Sequence, residues 1–550
     1  MTGTPTRWWQ HATVYQIYPR SFADSNGDGI GDIPGIVKRL DYLAALGIEV
    51  IWLSPIFDSP MADNGYDIAD YQAIAPIFGT LADFDTLIAE AKARGIGILL
   101  DLVVNHTSDR HRWFVASRAG REAACRDYYI WRDPAPDGGP PNALQSTFGG
   151  PAWTFDAASG QYYFHQFAPS QPDLDWTNPA VRHEIYAMMR WWRDRGIAGF
   201  RMDVINLIAK EPDRGITADG PKLHDYLQEM HREALAGRDV MTVGESWSVT
   251  PETALLYSGR SRNELSMVFQ FEHVMQQWHA TWGKWQPAPF DLVALKRIIS
   301  RWQLALAEDG WNSLFWSNHD LPRAVSKYGD AGRYRVASAK MLASVLHLLR
   351  GTPFVYQGEE IGMTNMPFAS IAQYRDIETL NMHRLHLEAG LPEADFIAGA
   401  NANGRDNART PMQWDDGPNA GFTTGTPWIA VNPNFRTVNV AAAMADDRSV
   451  LAHYRRLIGL RRRLPIIVAG DYAPWLEDHP DIVAYTRALD GDTLLVLANF
   501  RAAPVTIDVP PALRGNWPRL LEDGADTLGA HRTLAPFEVI AGLRTAHAAA

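Results

Sequence analysis

Along most of the chain, short runs of apolar residues break off abruptly into polar clusters. The runs are VYQIYPRSF from Val14, EVIWLSPIF from Glu49, GILLDLVVNH from Gly97, AGFRMD from Ala198, VMTVGE from Val240, NSLFWSNHD from Asn312 and GTPFVYQGEE from Gly351. Between them lie stretches with helical spacing, IPGIVKRLDYLAALG, LADFDTLIAEAKARG and PAVRHEIYAMMRWWRDRG, the last opening on proline and closing on glycine. Strand and helix alternating in this way predict βαβα units and a parallel sheet. A doubly wound sheet would carry a glycine-rich phosphate turn after its first strand, and none is present. The polar residues gather at the C-terminal ends of the runs, where a (β/α)8 TIM barrel builds its active site. The expected fold class is therefore α/β, a (β/α)8 barrel.

Two interruptions and a change of period divide the chain. Residues 1–104 and 172–469 read as the two parts of a catalytic barrel. Residues 105–171, which contain DYYIWRDPAPDGGPPNALQSTFGGPAWTFD, read as a loop-rich inserted domain after the third strand. A second irregular stretch, about 365–428, follows the eighth strand and holds NGRDNARTPMQWDDGPNAGFTTG. From residue 470 to 550 the alternation of DIVAYTRAL, DTLLVLANF and PVTIDV predicts a C-terminal antiparallel β-sandwich domain, and the final TAHAAA reads as a frayed end.

Composition narrows the partner. Hydrophobic residues make up 46% and charged residues 21% of the 550, the balance of a globular chain with a sizeable core. The net charge of -12 opposes binding to a polyanion, so no nucleic acid is expected. Cys125 is the only cysteine, which excludes an intrachain disulfide and thiolate metal cages and points to a reducing compartment. There is no charged leader and no membrane-length apolar run, so the expectation is a soluble cytoplasmic protein, a monomer or weak homo-oligomer. A neutral ligand suits this surface. The 20 Trp, 19 Tyr and 21 Phe could stack on the C–H faces of sugar rings, although many must serve the core.

The strand-end acids give that ligand a chemistry. Glycosidic bonds break through an oxocarbenium-like transition state, which needs an ionised carboxylate near the anomeric carbon and a protonated carboxyl near the leaving oxygen. Asp203 and Glu245 end adjacent short strands and are the best such pair. Arg201, two residues before Asp203 and so on the same face, would keep that carboxylate ionised, as a nucleophile requires. Asp320 and His319 end another strand, and with His106 they could hydrogen-bond sugar hydroxyls. Each acid alone is better explained as a turn or cap residue. Several in barrel order are not.

At this point DLVVNH, GFRMDVIN, MTVGE and WSNHD resemble the signature regions of the α-amylase family of glycoside hydrolases, and QPDLDW from Gln171 resembles a fifth. FQFEH, GTPFVYQGEEIGMTN and RDNARTPMQWD are similar to strings of oligo-1,6-glucosidases and dextran glucosidases. The resemblance implies Asp203 as nucleophile, Glu245 as acid/base and Asp320 as transition-state stabiliser. It implies that Asp63 and Tyr66 of DNGYD and Arg405 of RDNAR surround the non-reducing glucose, with His106, Phe148, Phe167 and Gln171 lining the pocket. An Asp63–Arg405 pair closing the far end would make the enzyme exo-acting, although the same pair could serve as a loop staple.

The resemblance also bears on metal and linkage. DSNGDGIGD places oxygen donors at Asp24, Asn26, Asp28, the carbonyl of Ile30 and Asp32, as in the first part of an EF-hand, but Gly35 stands where the bidentate Glu would be. Relatives that carry this string hold a structural calcium there. Magnesium, or a turn with no ion, is the alternative, and no organic cofactor is expected. Val204 after the nucleophile goes with α-1,6 preference in the resembled subfamily, and Glu272 is a candidate for holding the aglycone sugar. The substrate expected is a short oligosaccharide such as isomaltose or panose, cleaved with retention through a covalent β-glucosyl-enzyme. Leu321 departs from the Gln or Asn of the close relatives, and the RLDRD loop of sucrose isomerases is absent. Sucrose isomerisation is therefore the weaker enzymatic reading, with transglucosylation open. A non-catalytic transporter-associated subunit is the non-enzymatic alternative, which the intact carboxylates oppose.

Overall fold

Eight short parallel strands follow one another around a ring. They are β1 (Val14–Ile17), β2 (Val50–Leu53), β3 (Gly97–Leu102), β4 (Gly199–Met202), β5 (Met241–Glu245), β6 (Met267–Phe269), β7 (Ser313–Leu314) and β8 (Thr352–Tyr356). The computed structural model describes residues 7–546, so the last four residues of the TAHAAA tail lie outside the described residues. The sheet order is β6-β5-β4-β3-β2-β1-β8-β7. A parallel bridge between Val268 and Asn312, with the Ser313 hydroxyl donating to the Val268 carbonyl at 2.8 Å, brings β6 and β7 together. The (β/α)8 barrel expected from the sequence is thus present and nearly closed. Seven of the eight strands coincide with the apolar runs, and β6, Met267–Phe269, lies in none of them.

Both faces of these strands are buried, which explains why they read as continuous apolar runs. Alternate side chains point inward and fill the lumen with Val14, Val50, Trp52, Leu99, Val243 and Phe269. The others meet the surrounding helices. The helix Pro179–Asp194 shows how these form: Asn178 caps it by accepting from the Ala180 N–H, proline occupies its first turn, and Val181, Ile185, Met188, Met189 and Trp192 bury one stripe.

The excursion after β3 builds a small antiparallel sheet of Trp131–Arg132, Gln161–Phe164 and Trp153–Asp156 over its own cluster of Ile130, Ala152, Trp153 and Phe164. The stretch 365–428, expected to be irregular, contains helices Ile377–Glu388 and Glu393–Asn403. The second, EADFIAGANAN, carries only two large apolar residues, so it shows no stripe. Its Phe396 and Ala400 nevertheless pack against Trp285, Phe368 and Tyr374.

At the C-terminal end, β9 (Asp471–Trp475), β10 (Ile482–Leu489), β11 (Asp492–Asn499) and β12 (Val539–Arg544) form an antiparallel sheet in that order. One face, through Ile482, Ala484, Leu495 and Leu497, packs against two short ribbons at Ile507, Trp517, Leu528 and Leu534. The opposite face, through Val483, Tyr485, Leu494 and Val496, joins the apolar cluster that surrounds the barrel. The Lys296 ammonium, on the helix after β6, donates to the carbonyls of Leu476, His479 and Ile482 at 2.6, 2.5 and 2.9 Å.

Candidate active site

The site grows from strand register. Asp101 on β3 lies opposite Arg201 on β4, which lies opposite Val243 on β5. Two residues further along, at the ends of β4 and β5, Asp203 and Glu245 emerge side by side. Arg201, 1% exposed, donates to Asp101 at 2.7 Å, to Asp203 at 2.8 Å and to Glu245. One guanidinium thus stands among three carboxyls, and it cannot neutralise them all. Burial pushes Asp101 up to about 6 against the pull of Arg201. Burial also holds Asp203 well above the usual carboxylate range, again against Arg201 and with Glu245 and Asp101 adding to the rise. Arg201 thus meets Asp203 where the sequence placed it, with desolvation opposing the pull of the guanidinium.

Across the mouth, Asp320 at the end of the β7 run receives Arg409 at 2.8 Å, Arg405 at 3.3 Å and the His319 ring at 3.2 Å. Burial alone would raise its carboxyl, but His319, Arg405 and Arg409 together hold it far below the usual range. It stays ionised. His319 is pushed down to about 3 by burial and is neutral. With the Gln16 amide assigned as donor, the ring accepts it at Nδ1, 2.8 Å away, and turns Nε2–H toward the Tyr66 hydroxyl, 2.6 Å away. The Tyr66 hydroxyl donates its own hydrogen bond to Asp101 at 2.9 Å. A single chain of hydrogen bonds therefore runs from Gln16 on β1 through His319 and Tyr66 to the carboxyl cluster.

The far wall of the pocket is closed. Arg405 reaches Asp63 at 3.2 Å while Asp376 grips it from behind at 2.9 and 2.5 Å. The guanidinium lies 5.1 Å from the centre of the Phe148 ring, and Phe148 leans on Phe167, which leans on His106. Gln171 holds Asp63 by a 3.1 Å bond. Burial raises Asp63 to about 7 against Arg405 and Arg409, and lowers His106 to about 4, so that this imidazole is neutral.

The cleft, about 600 Å3, is lined by the expected Asp63, Tyr66, His106, Phe148, Phe167, Asp203, Val204, Glu245, Asp320 and Arg405. Gln171, Arg201 and His319 lie beneath its surface and touch the lining residues from behind. Glu272 is the exception. Its carboxylate accepts from Arg301 and, at 3.3 Å, from the Trp302 indole, so it faces the helix after β6 and not the cleft. The strand β6 ends at Phe269, the first residue of FQFEH and three before Glu272, and the short helix opening at Glu272 turns its side chain outward.

Several lining residues escaped the sequence reading. Trp247 donates its indole N–H to Glu245 Oε1 at 2.9 Å and stacks on Phe271 at 3.8 Å. Lys284 and Glu378 form a 2.6 Å pair in the lining, with the Glu378 carboxylate 3.4 Å from Arg405. Asp101 and Asp376, buried behind the lining, were missed as well. An acid inside the apolar run GILLDL was a signal for Asp101. Nothing in WGKW or RDIETL marked the others.

Val204 is held in the left-handed region, φ 35° and ψ 44°, a conformation costing a β-branched residue about 1–3 kcal/mol. It turns the Val204 N–H toward Glu245 Oε2, 3.3 Å away.

The loop expected to bind calcium satisfies itself with backbone. Asp24 accepts from the N–H groups of Asn26, Gly27 and Gly29 and from the Thr423 hydroxyl; Asn26 accepts from Asp28; Asp28 accepts from Ile30. Asp32 caps the following helix through Gly35 and binds Ser25 with its other oxygen. Among the described residues no three His, Cys, Asp or Glu side chains are grouped as a metal would need. Nor, among the described residues, is any helix long and apolar enough to cross a membrane.

A nearly closed barrel with three acids, a shared guanidinium and a blind pocket at its C-terminal mouth is the arrangement of a glycoside hydrolase. Residues 16–470 match the family model described as alpha amylase, catalytic domain, and residues 474–539 match maltogenic amylase, C-terminal domain. The chain belongs to the α-amylase family, and it is a glycoside hydrolase acting on α-glucosidic bonds. It is 55% identical over 524 residues to a palatinase of Erwinia rhapontici and 54% identical over 536 residues to an oligo-1,6-glucosidase of Halalkalibacterium halodurans, in each case covering 95% of both chains. Its structure superposes on trehalose-6-phosphate hydrolase of Bacillus licheniformis with a TM-score of 0.94 at 47% identity, covering 98% of this chain and 100% of that one.

Proposed function

We propose that the enzyme is a retaining, exo-acting α-glucosidase that removes glucose from the non-reducing end of short oligosaccharides, with α-1,6 bonds preferred. The observation that carries this is the blind wall made by Asp63, Arg405 and Phe148. A buried, braced ion pair there leaves room for one terminal glucose and excludes a continuing chain. Asp203 attacks the anomeric carbon, Glu245 protonates the departing oxygen, and water activated by Glu245 releases the glucosyl ester. Asp320, kept ionised by its two arginines, binds sugar hydroxyls more tightly as the ring distorts toward the transition state. Val204, directly after the nucleophile, shapes the aglycone subsite, and relatives named oligo-1,6-glucosidase and palatinase support the linkage.

The test is a substrate panel of isomaltose, isomaltotriose, panose, maltose, sucrose and trehalose, with anomer-resolved NMR of the product. We expect α-glucose first, isomaltose and panose favoured, and no activity in Asp203→Asn. Initial β-glucose or an active Asp203→Asn variant would sink the mechanism, and a clear preference for maltose would sink the linkage.

A structural calcium at residues 24–32 is a separate proposal. Its support is the donor chemistry of the loop: carboxylate oxygens keep lone pairs beyond the N–H groups they now accept, so a modest rearrangement would free them for an ion.

A further inference from the structure

Gln16 is a buried polar side chain that the catalytic roles leave unused. Val14 on β1 points into the lumen, so Gln16, two residues on, does as well, and it is 1% exposed. Its amide nitrogen donates to the Ser54 hydroxyl after β2 at 3.2 Å and reaches His319 Nδ1 at 2.8 Å, while its Oε1 has no partner. A buried amide oxygen left bare costs stability. Turning the amide over would cost more, because it would strand two N–H groups where one oxygen now stands.

The other side of the imidazole agrees with that orientation. Tyr66 gives its hydroxyl hydrogen to Asp101 and so turns an oxygen lone pair toward His319 Nε2, 2.6 Å away. Asp320 Oδ2 stands 3.2 Å from the same nitrogen, whereas Arg405 and Arg409 both bind the Oδ1 atom. Two oxygens thus converge on Nε2, which must carry a proton to meet them. Tyr66 and Tyr18 stack on the ring at 5.2 and 6.1 Å, and Trp52 meets it edge-on at 5.9 Å. Burial holds the ring neutral, with Asp320 drawing its pKa up and Arg201, Arg409 and Arg405 pressing it down. A neutral ring has one proton to place, and the bond made by one nitrogen decides the state of the other.

We propose that Gln16 is a positioning residue for the reaction: by donating to Nδ1 it fixes the His319 proton on Nε2, and that N–H holds the Oδ2 atom of Asp320 in place for the sugar. This rests on the stabilising role assigned above to Asp320. The arrangement fastens both oxygens of the carboxylate, one to arginines and one to a neutral donor. Because the imidazole carries no charge, it steers Asp320 without cancelling the negative charge that the oxocarbenium-like transition state meets. With the proton on Nδ1 instead, a bare nitrogen would face the Tyr66 and Asp320 oxygens, and Oδ2 would lose its donor.

Two variants and one spectrum test this. Gln16→Met keeps the length of the side chain and removes the donor; kcat on isomaltose should fall about tenfold, the weight of one hydrogen bond to a charged group, with KM changed far less. Gln16→Glu makes the same position sensitive to pH. While the new carboxyl and the ring hold two protons between them, Nε2 keeps its own. Once one is lost, the remaining proton lies on Nδ1 against the carboxylate and Nε2 is bare. The ratio of Gln16→Glu to wild-type kcat should therefore be near one at about pH 5 and fall below that of Gln16→Met by about pH 8. In enzyme labelled with 15N-histidine, the ring signals that vanish in His319→Gln should place the proton on Nε2 in the wild type and on Nδ1 in Gln16→Glu at the higher pH. Wild-type kcat in Gln16→Met, a Gln16→Glu ratio that does not move with pH, or a wild-type proton on Nδ1 overturns the inference. The wild-type spectrum decides the matter where a Gln16 variant fails to fold. Initial β-glucose, or activity in Asp203→Asn, would fail the roles of the acids instead and would leave that spectrum untouched.

Discussion

Replacing Glu359 with glutamine should make the protein more stable, and increasingly so as the pH rises. Glu359 follows β8, is fully buried, and accepts from the Ser317 hydroxyl at 2.7 Å and the Tyr454 hydroxyl at 2.8 Å. Burial raises its carboxyl from 4.5 to about 7 despite both donors. A carboxyl whose folded pKa lies above its unfolded one favours the native state when protonated. Its contribution is complete below pH 4.5 and declines as the pH climbs toward 7, by about 1.4 kcal/mol per unit. Between pH 5 and pH 8 the wild type should therefore lose about 3 kcal/mol that the variant keeps. Glutamine has nearly the same shape, and its amide can partner both hydroxyls once one of them rotates. At about 2.1 cal/mol/K per residue, a 550-residue chain melting as one unit would show a gap widening by roughly 2–3 °C. Scanning calorimetry of both proteins across that range measures it. A gap that is constant with pH, or that narrows toward alkaline pH, would refute the reasoning.

Three further outcomes are expected. Asp376→Ala removes the carboxylate that braces Arg405 and caps the helix Ile377–Glu388; activity on isomaltose should fall about a hundredfold through loosened glucose binding, and full activity would show that Asp63, Asp320 and Glu378 suffice to position the guanidinium. Val204→Ala should narrow the ratio of isomaltose to maltose turnover by about tenfold, a difference of about 1.4 kcal/mol, and an unchanged ratio would remove Val204 from the linkage argument. Dialysis against a chelator should lower the melting temperature by several degrees if the Asp24 loop holds calcium, with recovery on adding calcium back; an unaffected melt would remove the ion.

The barrel was readable because its strands are buried on both faces and punctuated by helices of ordinary length. The acids at their ends were readable because register alone sets Asp203 beside Glu245. What could not be read was anything depending on side chains brought in from elsewhere. Asp376 and Glu378 come from a helix without an apolar stripe, and Lys284 comes from a hairpin of tryptophans that looks like any aromatic loop. Glu272 failed for a related reason: β6 stops at Phe269, and a helix of four residues, too short to show a period, sets the direction of the Glu272 side chain. Arg201 was correctly placed, but its effect depended on a competing quantity, the depth of burial, that no spacing reveals.

The C-terminal sheet is sealed on both sides, against its own ribbons and against the layer around the barrel, and Lys296 pins it by three carbonyls. A gene fragment ending near Gly470 would leave Tyr485's partners facing water and an ammonium with nothing to hold. The last eighty residues thus behave as part of the scaffold and not as cargo. Grafting the catalytic mouth onto another chain, or exchanging the tail between relatives, will succeed only if the seam travels with it.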